Sequence, residues 1–341
     1  MGGKQLPETL TLIRDNILQY DNPLAVSAKE NAEWAKDLNL PKKGDILFYT
    51  GGEYQLLPFM DSLLTVMDIV DPGNPAFGWM MSMRDLVHKS GMAPEKIFAS
   101  VFAQDKERFF SINKKAAQIL KALGYDICYD GENEIYSGAL LHELGFEDAL
   151  GVYSKRVATF LNQSGAKTVV CMSPHAAEMF ALIYPQYGDF PKVEVKTFIQ
   201  MVHEKRHMLP KNFYRGLVTL HDSCRMAREM DVVDEFREVL DAMNVRYKEP
   251  FRTGKWSTCC GGPIKTTYAE LSHKLSQKRA NELADTGAQI ALLSCPYCLS
   301  ALKDCKTANH MEIMDFVELM TRFLASSPKA FLIAFVSKRS L

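Results

Sequence analysis

Cysteine is the residue type with the most chemistry to offer in this chain. There are eight among 341 residues, and five fall in a regular pattern in the second half: Cys224, then Cys259-Cys260, then Cys295-Pro296-Tyr297-Cys298, with 34 residues in each gap. Thiolates bind zinc and iron–sulfur clusters, and in a reducing compartment a clustered set points to metal or redox chemistry before disulfides. Successive side chains of an extended segment point to opposite sides, so Cys259 and Cys260 suit different irons of a multinuclear cluster better than one tetrahedral ion. Five thiols also exceed the four that zinc accepts. An iron–sulfur cluster is therefore the expected occupant, with zinc and unliganded buried cysteines as the competing readings. Arg225, Arg228, Arg252, Lys255 and Lys265 stand close enough in sequence to hold a negatively charged cluster, or else form a solvated surface.

The remaining candidates divide between chemistry and packing. His221 and Asp222 precede Cys224, where they suit proton delivery to a thiolate; the plainer reading has His221 completing a hydrogen bond and Asp222 capping the next helix. His175 and His142 either line a substrate cavity or pack. Cys128 and Cys171 lie in apolar runs and read as small core residues, whereas Cys305, seven residues beyond Cys298, reads as packing or as a reactive thiol near the cluster. The 17 methionines, as in Met80–Met83 and Met226–Met230, read as core filling. Gly51-Gly52 begins no phosphate-binding motif.

Short apolar runs alternate with helical stretches and must position these residues. Strands are expected at Asp45–Thr50, Ile97–Val101, Tyr125–Tyr129, Thr168–Met172, Leu217–His221, Val245–Lys248 and Ile290–Ser294, a βα rhythm that predicts parallel sheets covered by helices. The fold class is α/β. Each cysteine element follows a strand, at the carboxyl edge where open α/β sheets place ligands; there the positive end of the following helix favours thiolates, and Pro296 suits its first turn.

The rhythm also contains a duplication. Residues 165–175 align with 287–297 at a shift of 122, Tyr136-Ser137-Gly138-Ala139 with Thr258-Cys259-Cys260-Gly261 at the same shift, and Gly44–Leu47 with Gly216–Thr219 at 172. The first copy thus carries about 50 extra residues inside roughly 53–110. Each copy closes alike, Val195–Ile199 echoing Ile313–Val317. Two tandem related α/β domains are expected, with an N-terminal helical arm at 1–43, a first domain at 44–203 and a second at 214–325. In the arm, Leu6–Gln19 reads as an amphipathic helix, Asn22-Pro23 as a turn, and a second helix runs through Trp34; the arm braces the first domain or docks a partner.

With 40 Lys+Arg against 41 Asp+Glu and 47% hydrophobic residues, the chain lacks the basic face of a nucleic-acid binder. The longest apolar runs, Ala288–Ser294 and Ala330–Val336, are strand-length, so no membrane span is expected. The amino terminus carries no export signal, which points to the cytoplasm.

The pattern Cys224…Cys259-Cys260-Gly261-Gly262…Cys295-Pro296-Tyr297-Cys298 resembles the cysteine-rich CCG domain in the B-type protein of heterodisulfide reductase, found also in the iron–sulfur proteins of glycolate oxidase, anaerobic glycerol-3-phosphate dehydrogenase and sulfite-reductase-associated complexes. The resemblance implies that these five cysteines hold one [4Fe-4S] cluster of the noncubane kind. It extends over the whole chain, since tandem copies are a family feature and Ile17…Asn22-Pro23…Trp34 resembles the link between a ferredoxin module and the first CCG domain. By the offsets above, Gly52, Ser137, Gly138, Ser173 and Ala176 replace the five cysteines in the first copy. One cluster is implied, rather than the two between which the methanogen enzyme splits a disulfide; sulfur-oxidising relatives, acting on other sulfur carriers, fit a degenerate copy better. The implied activity is that of an oxidoreductase acting on sulfur groups, like CoB-CoM heterodisulfide reductase, with His221 as acid and a disulfide or sulfur carrier as substrate. The implied partners are a ferredoxin-type iron–sulfur protein like the C-type component of that enzyme and a flavoprotein like its A-type component. The alternatives are an electron-transfer-only subunit of a glycolate- or glycerol-3-phosphate-oxidising complex and a structural zinc domain.

Overall fold

A computed structural model describes residues 8–69, 105–212 and 214–324. The runs Ile97–Val101, Met80–Met83 and Ala330–Val336 lie outside the described residues. Among the described residues, eight short strands form two parallel sheets: β1 (Ile46–Tyr49), β2 (Ile127–Cys128), β3 (Thr168–Cys171) and β4 (Glu194–Thr197) in one, and β5 (Leu217–Leu220), β6 (Arg246–Tyr247), β7 (Ile290–Leu293) and β8 (Glu312–Asp315) in the other. The first sheet runs β2-β1-β3-β4 and the second β6-β5-β7-β8. Strands such as Ile-Ala-Leu-Leu in β7 are buried throughout, as expected where helices cover both faces of a parallel sheet.

Register makes the relation between the two lobes concrete. Ile46 pairs with Ile127 and Thr168, and Thr168 with Glu194. In the second lobe Val218 pairs with Tyr247 and Ile290, and Ile290 with Glu312. Val218 stands 172 positions after Ile46 and Ile290 stands 122 after Thr168, the same two shifts that align the sequences. Both lobes also start their last helix with the same reciprocal hydrogen bonds. The Gln200 amide donates to Thr197 Oγ1 and the Thr197 amide to Gln200 Oε1; the Val317 amide donates to Asp315 Oδ1 and the Asp315 amide to Glu318 Oε2. Such caps satisfy amides that the first helical turn leaves open.

The arm folds as helix Glu8–Tyr20, a turn, helix Ala28–Asn31 and a short 3-10 turn at Glu33–Ala35. The expected second helix is thus broken before Trp34. The Asn22 side chain builds the turn by accepting from the Leu24 and Val26 amides and donating to the Val26 carbonyl, which interrupts helical pairing. Ile17, Leu24, Val26 and Trp34 are buried, and Trp34 packs on Phe48 and Tyr129. The arm braces the first lobe.

The lobes are docked. One apolar core runs from Phe48, Tyr54 and Phe109 to Leu292 and Phe316. At its margin Tyr54 donates to Asp315 Oδ2 at 2.6 Å, and Arg108 forms a two-pronged pair with Glu318 at 2.8 and 2.9 Å. The carboxyl edge of the second sheet, which carries the cysteine elements, consequently faces the first lobe.

Candidate metal centre

Cys224 follows β5 and opens a π-helical turn at Arg225–Glu229; Cys295 is the N-cap of helix Pro296–Leu302, which contains Cys298. Cys259 and Cys260 lie on an irregular loop ending at Gly261, whose φ of 80° turns the chain back. Hydroxyls from helix Ala269–Ala284 hold this loop: Ser276 Oγ donates to the Cys260 carbonyl and Ser272 Oγ to the Gly261 carbonyl, each at 2.8 Å. Gly262 is required by space, since a Cβ there would stand 2.8 Å from the Tyr297 carbonyl oxygen.

All five cysteines come together. Side-chain contacts run from Cys224 to Cys259, on to Cys260, Cys298 and Cys295. The adjacent pair keeps its two sulfurs in contact with each other, Cys259 on the Cys224 side and Cys260 on the Cys298 side, an arrangement that suits separate irons of one cluster. The Gly261 amide donates to Cys259 Sγ and the Gly262 amide to Cys260 Sγ, both at 3.4 Å. Cys260, Cys295 and Cys298 are buried, Cys224 and Cys259 half-buried. Contacts from Cys224 and Cys260 lower the Cys259 thiol to about 2. Burial raises the Cys295 thiol, but Cys298 and His175 outweigh it and hold it well below its ordinary value. The Cys224 thiol is pushed up by its contact with Cys259 and by burial, and contacts with neighbouring cysteines likewise raise Cys260 and Cys298.

His221 is buried beside them, its ring within 4.8 Å of the Cys260 and Cys298 sulfurs. Its Nδ1 accepts from Arg279 Nε at 3.0 Å. A guanidinium only donates, so Nδ1 presents its lone pair, the proton sits on Nε2, and Nε2 has no hydrogen-bond partner. Burial and the Arg279 charge lower the imidazolium to about 3. The Nε2–H of His221 is therefore fixed by Arg279 in a buried position beside the cysteine sulfurs. Asp222 caps no helix: it accepts both prongs of Arg237 at 2.8 and 2.9 Å and the Gly254 amide at 2.7 Å, and despite burial these donors lower its carboxyl.

The bases singled out in the sequence are turned to protein acceptors. Arg228 donates to the Lys255 and Ser257 carbonyls, Arg252 pairs with Glu282, Lys255 with Asp231 and Lys265 with Asp61. Arg225 reaches across to Glu178 at 2.8 Å and Glu143 at 3.5 Å in the first lobe. Arg279, completely buried, is the base that sequence reasoning missed; in the polar stretch Ser276–Glu282 nothing marks it out from its neighbours.

The first lobe presents its own residues to the site. His175 stacks on Tyr297 with ring centroids 4.3 Å apart, pairs through Nδ1 with Glu143 at 2.5 Å, and makes a hydrogen-bonding contact with Cys295. Burial lowers its pKa, but the Glu143 carboxylate and Cys295 outweigh this and raise it well above the ordinary value. His142 instead lies 3.6 Å from Glu147 at a partly exposed position. Where the first copy has lost cysteines, Ser137 Oγ donates to Glu53 Oε1 at 2.6 Å and Ser173 lies on the same carboxyl; Glu53 was also missed in the sequence. The Gly51 amide is turned to the Glu134 carboxylate. Cys128 and Cys171 are fully buried core residues and Met226 fills core. Cys305 is partly exposed, its thiol donating to the Ala301 carbonyl and raised by burial to about 11.

The donor set suits a multinuclear iron–sulfur group: five converging thiols outnumber the positions of a tetrahedral zinc ion, backbone amides point at two of them, and the unpartnered His221 N–H faces the same pocket. Residues 218–303 match the model of the cysteine-rich domain CCG. The matched residues hold all five clustered cysteines. The chain is similar to three larger proteins: "Probable iron-sulfur-binding oxidoreductase FadF" of Bacillus subtilis, 27% identical over 60% of this chain and 30% of the relative; the D-type component of dihydromethanophenazine:CoB–CoM heterodisulfide reductase from Methanosarcina barkeri, 23% over 62% and 54%; and EtfAB:quinone oxidoreductase of Syntrophomonas wolfei, 24% over 67% and 34%. The chain thus spans between 30% and 54% of the length of these relatives. Among the described residues, no helix is long and apolar enough to cross a membrane.

Proposed function

We propose that this chain is a B-type iron–sulfur subunit of a heterodisulfide-reductase-like complex, carrying electrons through one [4Fe-4S] cluster of the noncubane kind and acting on a disulfide or related sulfur compound. The observation that carries this reading is the unbroken run of contacts through Cys224, Cys259, Cys260, Cys298 and Cys295. When bound, the cluster supplies one-electron redox chemistry and an iron open to sulfur. The protein's part is to hold it and set its charge balance: the five thiolates would ligate, the Gly261 and Gly262 amides donate to the Cys259 and Cys260 sulfurs, the His221 ring stands within 4.8 Å of the Cys260 and Cys298 sulfurs, and Arg225 lies next to Cys224. Hydrogen bonds to cluster sulfurs raise the reduction potential by stabilising added negative charge. Cys224 and Cys259 form the half-exposed side of the site, where a sulfur substrate has access. A ferredoxin-type iron–sulfur protein of the C type and a flavoprotein of the A type are the proposed electron partners, and the first lobe is read as a degenerate CCG domain.

The names of the relatives FadF and EtfAB:quinone oxidoreductase favour a second reading, an electron-carrying subunit without substrate chemistry of its own. Anaerobically purified or reconstituted protein is expected to be brown, with about four irons per chain. A change in its electron paramagnetic resonance spectrum on adding a thiol supports sulfur chemistry; an unchanged spectrum leaves electron transfer alone. Zinc at one per chain with no visible absorbance would overturn both.

A further inference from the structure

Across His175 from Cys295, the first lobe buries a carboxyl group where its own cluster ligands are missing. Glu53 begins the helix Glu53–Ile69 directly after Gly52, the counterpart of Cys224, and its side chain is 1% exposed. Ser137, the counterpart of Cys259, donates to Oε1 at 2.6 Å, while Oε2 is buried with no hydrogen-bond partner. Surrounding hydroxyls are committed elsewhere: Tyr49 to the Ile135 carbonyl, Tyr153 to the Tyr136 carbonyl, Tyr184 to the Ser137 carbonyl, and Tyr136 to Tyr297 across the lobe interface. Ser173 also lies on this carboxyl and His175 supplies positive charge; a buried carboxylate with no salt bridge of its own among the described residues is stable only while its environment supplies positive charge or a proton.

We propose that Glu53 is a redox-linked proton site: its carboxylate takes up one proton from solvent as one electron enters the five-cysteine centre, and releases it on reoxidation. This rests on the reading of that centre as an iron–sulfur site. The electron comes from an electron-carrying partner or, in vitro, from dithionite, and the added negative charge is compensated by the proton at Glu53, so that charge in the dry interface stays balanced. The titratable groups facing Glu53 are His175, Tyr49, Tyr136, Tyr184 and Cys171 from the first lobe and Cys295 and Tyr297 from the second. Burial is the dominant influence and raises the Glu53 carboxyl to about 7, with His175 and the serines opposing it. The tyrosines are raised by burial far out of the neutral range, leaving the acid as the group poised to exchange a proton there.

The test is a redox titration of the reconstituted full chain, followed by electron paramagnetic resonance between pH 6 and 9. The wild-type midpoint is expected to fall with rising pH, approaching about 59 mV for each tenfold change in proton activity, the one-electron conversion, and Glu53→Gln is expected to flatten it. A midpoint independent of pH in cluster-loaded wild type, or an unchanged slope in Glu53→Gln, overturns the proposal and leaves the cluster reading intact. If wild type assembles no iron–sulfur group, both fall. Should Glu53→Gln not load iron, the reduced-minus-oxidised infrared spectrum of wild type labelled with 13C-glutamate decides: a labelled band of a protonated carboxyl appearing on reduction supports the proposal, and its absence overturns it.

Discussion

His175 of the first lobe lies ring against ring with Tyr297 of the second, centroids 4.3 Å apart, and these two residues occupy corresponding positions of the duplicated sequence, 122 residues apart. The two copies meet through their equivalent helix starts. A loop that has lost its ligands therefore becomes part of the wall of the neighbouring site.

The five clustered cysteines should behave differently from the other three. Serine in place of Cys224, Cys259, Cys260, Cys295 or Cys298 is expected to lower iron content and change the electron paramagnetic resonance spectrum, because serine oxygen is a poor substitute for a soft thiolate. Alanine at Cys128 or Cys171, both in core positions, should leave iron content unchanged and lower stability by about 1 kcal/mol. Equal iron loss in both groups would refute the assignment.

Gly262→Ala should abolish loading while the fold survives. Its Cβ meets the Tyr297 carbonyl oxygen at 2.8 Å, so the loop carrying Cys259 and Cys260 must move off the helix carrying Cys298. We expect iron content to fall at least several-fold with an unchanged far-ultraviolet dichroism spectrum; wild-type loading would show that the loop has slack.

Asp315 should make stability fall as pH rises. Burial raises its carboxyl to about 7, so between the ordinary carboxylate range and 7 the folded state holds a proton that the unfolded state releases. Stability is then full below about 4 and lost progressively up to about 7, by up to about 4 kcal/mol. Glu53 and Glu134, also raised by burial to about 7, act in the same direction. Asp315→Asn should remove about a third of the slope seen in urea titrations of metal-free protein from pH 4 to 8; an undiminished slope would count against this.

Trp34→Ala should destabilise the first lobe by about 3–5 kcal/mol, the usual cost of emptying a large aromatic site, since Trp34 is buried against Phe48 and Tyr129. Chemical denaturation measures this. A loss below 1 kcal/mol would show that the arm adds little to the lobe.

The sequence by itself determined what is periodic or spaced along the chain: the first three strands of each sheet in chain order, their shared shifts of 172 and 122, and the set of five cysteines near strand ends; the last strand of each sheet showed only as a repeated chain ending. Burial of alternating apolar runs is a local property, so pattern reveals it. Only the tertiary structure decided how the loop of Cys259 and Cys260 is held, by Ser272 and Ser276 on the Gly261 and Cys260 carbonyls. It also decided that Arg279 fixes the tautomer of His221, that His175 of the first lobe packs on Tyr297 and contacts Cys295 of the second, and that Tyr54 meets Asp315. The contacts of His221, His175 and Tyr54 join residues 58 to more than 200 positions apart. They arise from how two finished lobes dock, through shape, desolvation and charge pairing across a surface that no spacing along the chain encodes.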